Sequence, residues 1–141
     1  MAEIGVLPAG RYYVGDLCYV LGDRWDEVCS RVINGDNCRD GVFTLEDGTQ
    51  FAMMTTCYGD GQYEDNIGRR YSVDSGSIGC VLASKCDSDS YSGGQVIDFT
   101  QPFMVRVVSE GERWLAKSYK LCFGRVQVET GFCGDYDDDE D

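Results

Sequence analysis

Short runs of aromatic, β-branched and other apolar residues recur along the chain, broken about every ten residues by glycine, aspartate and asparagine, and this spacing predicts short strands joined by turns. Residues 6–21 hold two such runs separated at Gly15-Asp16, read as a strand, a bend and a second strand. Helical periodicity occurs once: Trp25, Val28, Cys29, Val32 and Ile33 form a single apolar stripe, with Asp23 placed to cap it and Asn34-Gly35-Asp36-Asn37 to stop it. Residues 42–46 and 49–55 flank Asp47-Gly48, a pair that favours a two-residue hairpin turn. A second hairpin is expected from residues 62–64 and 69–73 around the turn Asp65-Asn66-Ile67-Gly68. Residues 78–83 lack polar alternation, which predicts a strand buried on both faces. Beyond a polar, glycine-rich surface loop at 85–94 lie strands at 95–99 and 103–108, a return beginning at Trp114-Leu115-Ala116, and two closing strands at 120–123 and 125–130. The expected fold is mainly β, a small β-sandwich or β-roll of about nine short strands with one amphipathic helix.

Residues 55–79 are the organising stretch. They carry five of the eighteen glycines, set beside aspartates that fold back onto backbone amides, and they read as a central hairpin and corner. Asp60 and Asp74 arrive there at strand ends, where a site could form. The 141 residues fit one domain, taken as 1–133, followed by an acidic tail at 134–141 that cannot bury apolar area and is read as mobile. Six of the last seven residues are acidic; without them 19 acids face 12 bases, so the folded part is acidic too. Such a surface repels phosphate backbones and anionic lipids, which argues against nucleic acid and membranes as partners.

Eight cysteines, several within apolar runs such as Leu17-Cys18-Tyr19-Val20 and Leu121-Cys122-Phe123, read first as reduced core thiols, with disulfides or a thiolate metal site as alternatives. The start, Met1-Ala2-Glu3-Ile4-Gly5, lacks the pattern of a signal peptide, so the expected location is cytoplasmic or within a virion. There is no histidine, which removes Ser-His-Asp and Cys-His chemistry and the usual near-neutral proton shuttle.

What chemistry remains rests on carboxylates. Val73-Asp74-Ser75-Gly76-Ser77 resembles the active-site motif of aspartic proteases, in which two copies share a proton around a water; one copy per chain would require a homodimer with Asp74 as the catalytic acid and Asp60 as a second candidate. The competing reading is a tight turn in which Asp74 accepts backbone amides and Gly76 supplies the reversal. Asp16, Asp60, Asp65 and Asp74 all sit beside turn residues and could gather around Ca²⁺ or Mg²⁺, although no cofactor or metal is expected. Asp87-x-Asp89-x-Tyr91, with Asp98 beyond it, loosely copies a calcium loop. Tyr12, Tyr13, Tyr19, Tyr58, Tyr63 and Tyr71 could line a carbohydrate or peptide groove, but they read more readily as cross-strand packing partners.

Three segments, Gly10-x-Tyr12-Tyr13-Val14-Gly15-Asp16-x-Cys18-Tyr19-Val20, Tyr58-Gly59-Asp60-Gly61-x-Tyr63 and Val73-Asp74-Ser75-Gly76-x-Ile78-Gly79, together resemble small uncharacterised β-rich proteins scattered among bacteria, bacteriophages and large DNA viruses. The resemblance covers roughly residues 10–130 and implies a shared fold and a viral setting, without a catalytic residue. The expectation is a non-enzymatic structural or protein-interaction domain, a minor virion or accessory protein whose partners are capsid proteins, other proteins or itself. The alternatives are a carboxylate-dependent hydrolase built on Asp74 and a metal- or sugar-binding module.

Overall fold

A computed structural model describes residues 2–34, 37–38, 41–56, 61–86, 93–110 and 118–131. Among these the chain forms β1 (Ala2–Leu7), β2 (Gly10–Gly15), α1 (Trp25–Val32), β3 (Ile33–Asn34), β4 (Asn37–Cys38), β5 (Gly41–Thr44), β6 (Gln50–Thr55), β7 (Gly61–Asp65), β8 (Arg70–Val73), β9 (Ser77–Leu82), β10 (Gln95–Phe99), β11 (Phe103–Glu110), β12 (Ser118–Phe123) and β13 (Val126–Gly131). Two antiparallel sheets carry the architecture, one ordered β1-β11-β12-β13-β7-β8 and the other β10-β2-β9-β6-β5; β3 and β4 pair by themselves.

The sheets stack as a sandwich because each strand offers an apolar face to the space between them. That core takes Tyr12 and Val14 from β2, Met54 from β6, Tyr71 and Val73 from β8, Ile78 and Cys80 from β9, and Val105, Leu121, Phe123, Val126 and Val128 from the other sheet. At one side the edge strands β1 and β5 meet, where Gly5 lets Val42 approach so closely that an added Cβ would sit 2.7 Å from it. At the other side β8 is tied to the start of β10: the Ser72 amide donates to the Gly93 carbonyl at 2.8 Å, and Gln95 Nε2 donates to the Arg70 carbonyl at 3.1 Å. Both seams are therefore covered, which limits edge-to-edge pairing.

A second, smaller core lies on the outer face of the five-stranded sheet. Val28 of α1 packs there with Tyr13, Leu17, Val20, Leu21, Leu45, Phe51, Met53 and Val81. Covered on both sides, β9 is buried almost throughout, as its apolar run predicts. Among the described residues the outer face of the six-stranded sheet carries no such cover, and β7 presents exposed Gln62 and Glu64 there while Tyr63 points inward.

The mainly β, sandwich-like expectation holds; among the described residues eleven strands fill the two sheets where about nine were expected. Pro8 separates β1 from β2, so the first apolar run is divided between two sheets. The second run is a correction: residues 17–19 form a 3-10 turn, because the Asp16 carboxylate accepts the Cys18 amide and Leu17, Val20 and Leu21 are drawn into the smaller core. A further 3-10 turn at Gly22–Arg24 leads into α1, so the helix starts at Trp25 as its stripe suggests. The first hairpin closes through three residues, 46–48, not two: Leu45 donates to Thr49 across the loop, the Gly48 amide donates to the Leu45 carbonyl, and Gly48 takes φ +90°, the left-handed geometry that such loops require. The return at 114–116, much of the polar loop after Cys86 and the acidic tail lie outside the described residues. Among the described residues no helix is long and apolar enough to cross a membrane.

Candidate functional site

Asp16 leaves the end of β2 fully buried, and its carboxylate reaches the turn between β8 and β9. Oδ2 accepts the backbone amides of Asp74 and Ser75, each at 2.7 Å, and Oδ1 accepts the Cys18 amide at 3.0 Å and the Ser75 hydroxyl at 2.9 Å. Both oxygens thus carry two donors, close to the capacity of an ionised carboxylate, and charge-assisted bonds of this kind offset the loss of hydration on burial. From the other side the Thr56 amide donates to the Gly76 carbonyl at 3.0 Å, and the Ser75 and Ser77 hydroxyls pair at 2.8 Å. Gly76 reverses the chain at φ +82°. The Asp74-Ser75-Gly76-Ser77 motif is therefore a turn gripped by a carboxylate from a distant strand, and the Asp74 side chain stands exposed beyond it. The turn reading is the one seen, with a difference: the amides are accepted by Asp16, not by Asp74 itself.

Asp65 plays an equivalent part at the opposite end of β8. Its side chain is fully buried; Oδ1 accepts the Ile67 and Arg69 amides, each at 3.0 Å, and Oδ2 accepts Arg69 Nε and the Tyr71 hydroxyl, each at 2.6 Å. Burial alone would raise its pKa, but the hydrogen bonds from Tyr71, Ile67 and Arg69 together outweigh that effect and hold the carboxyl below the ordinary range. The same bond combines with burial to push the Tyr71 hydroxyl upward, burial being the larger cause.

The structure thus brings Asp16 and Asp74 together and leaves Asp65 a strand length away; Asp60 lies outside the described residues. Of the loose calcium loop, Asp87, Asp89 and Tyr91 also lie outside them, while Asp98 pairs with Arg11 at 3.1 Å on the exposed side of β10. Among the described residues no three Cys, Asp or Glu side chains are placed to hold a metal ion. Tyr12, Tyr13, Tyr63 and Tyr71 are buried in the two cores and Tyr19 packs against the smaller one, so these tyrosines are packing residues; Tyr58 is outside the described set. Among the described residues Cys18, Cys80 and Cys122 are free thiols, with Cys80 and Cys122 buried. Burial pushes the Cys18 thiol up to about 12, with a further contribution from its hydrogen bond to Asp16.

The far end of the sandwich from Asp16 holds a feature that sequence reasoning missed. The β10–β11 and β12–β13 turns enclose an open pocket of about 300 Å³ lined by Phe99, Pro102, Phe103, Met104 and Arg125 among others. Phe99 and Phe103 stack at 3.9 Å between centroids, and Tyr12 packs edge-on against both. Arg125 lies 5.2 Å over the Phe99 ring and donates through Nη2 to the Asp98 carbonyl at 2.8 Å. The signal available was a basic residue directly after a turn glycine in an acidic chain; nothing in the sequence placed it against Phe99, 26 positions away. Comparison with protein-family models, curated proteins and solved structures yields no match for this chain.

Proposed function

We propose that this chain is a non-enzymatic protein-interaction domain, a rigid β-sandwich that works by presenting surface to other proteins. The observation that supports this most is the state of its buried acids. Asp16 and Asp65 each accept four hydrogen bonds, most of them from turn backbone, which suits struts that fix backbone better than groups poised to exchange a proton. The exposed outer face of the six-stranded sheet and the aromatic pocket beside Arg125 supply surface for contact.

The setting implied by the resemblance makes an accessory component of a viral particle the assembly to examine. In-cell crosslinking followed by reciprocal copurification tests the reading, with a partner recovered in fixed ratio as the expected result. Hydrolysis of any substrate by the purified protein that disappears in a folded Asp74→Asn variant would replace this reading with the hydrolase.

A further inference from the structure

We propose that the pocket beside Arg125 receives the acidic C-terminal segment, residues 132–141, of a second copy of this chain, with Tyr136 against the Phe99–Phe103 stack and the carboxylates that follow it on Arg125. This rests on the protein-interaction reading and names its surface and occupant. Phe99, Pro102, Phe103 and Met104 give the pocket an apolar wall beside the polar Thr100 and Gln101, and the one charged group among the lining residues is cationic, in a chain whose formal charge is −13. Met104, 36% exposed, is paired across the strands with Val6, 58% exposed, which extends the apolar surface outward from the pocket. Among the described residues Arg125 spends one of its five guanidinium donors, on the Asp98 carbonyl, so the others can serve an incoming carboxylate.

The segment supplies the matching chemistry: Tyr136 is followed by Asp137, Asp138, Asp139, Glu140 and Asp141. An aromatic anchor next to carboxylates is what an aromatic pocket with an arginine on its rim would select.

Chain length assigns the segment to another copy. β13 starts at the pocket and carries the chain to Gly131 at the opposite end, about 17 Å away at the rise of a strand. Tyr136 lies five residues further on. Fully extended, those residues span at most about 18 Å, and reversing direction consumes about two of them, so the ring falls short of its own pocket. In a neighbouring copy the same ring arrives without a reversal. The contact is head to tail and need not close, so copies add on in series.

The test uses the full chain. Sedimentation over a range of concentrations at low salt should show mass increasing with concentration, and the association should weaken with added salt. Arg125→Glu and Tyr136→Ala, each checked for an unchanged thermal melt, should each reduce the association constant by about tenfold or more. A synthetic peptide of residues 132–141 added to the isotopically labelled full chain should shift the amides of residues 100, 101, 103, 104, 124 and 125. A monomer at every concentration, association indifferent to both substitutions, or peptide shifts confined to the open sheet face would each overturn the proposal. The interaction reading itself stands or falls separately, on whether the crosslinking experiment recovers a partner.

Discussion

Replacing Asp16 with asparagine changes a few atoms and should unsettle the whole turn between β8 and β9. With its nitrogen at the Oδ2 position, the new amide would face the Asp74 and Ser75 amides, donor against donor. With its nitrogen at Oδ1 it faces only the Cys18 amide, and the Ser75 hydroxyl can rotate to accept from it, so this orientation is the less costly. Even so, one buried amide loses its acceptor, at about 1–3 kcal/mol, and the two remaining amide bonds lose their charge assistance. A total near 3 kcal/mol follows, roughly 10 °C in melting temperature for a domain of this size. Asp16→Ala strips all four bonds and should be worse, whereas Ser75→Ala removes one hydroxyl and should lose only about 1 kcal/mol. Urea unfolding followed by fluorescence gives each value, and a double-mutant cycle between Asp16 and Ser75 isolates their coupling. An Asp16→Asn protein within about 0.5 kcal/mol of wild type would refute the view of Asp16 as the grip on this turn.

Asp65 predicts a pH dependence of definite sign. Its folded-state pKa lies below that of the unfolded chain, near 3.9, so its contribution is complete above about pH 4 and is lost as pH falls through the folded value. The difference in urea midpoint between wild type and Asp65→Asn should therefore be larger at pH 6 than at pH 3. A Cβ at Gly79 would run into the Ala52 carbonyl and lie 3.0 Å from Leu17 Cδ1, so Gly79→Ala should destabilise by about 3 kcal/mol through a forced shift of β6 against β9, measured by the same unfolding assay. Cys80 and Cys122 are buried and burial raises both thiols, as it does Cys18; in native protein at pH 8, mass spectrometry should find these three alkylated only after unfolding.

Much of the fold is written in local pattern. β9 announces its double burial through an unbroken apolar run, and β13 its half-burial through strict alternation, because side-chain period records which faces are covered. The run after Asp16 misleads, since 3-10 and extended backbone can bury the same apolar residues and the choice is made by one carboxylate binding the Cys18 amide. Asp74 was visible as a turn residue, but its true acceptor is 58 positions away, a pairing that sheet topology creates and local sequence cannot encode. The same holds for Arg125 over Phe99, which needs two hairpin turns brought side by side.

The direct measurement is amide hydrogen exchange at Asp74 and Ser75. Asp74 and Ser75 are exposed residues of a turn, yet both amides donate at 2.7 Å to the buried Asp16 carboxylate. Slow exchange, comparable with the amides of β9 and lost in Asp16→Ala, is the predicted result. Exchange at the rate of an unstructured loop would show that the carboxylate does not hold this turn, and would leave Asp16 and Asp74 open to the chemistry that the structural reading denies them.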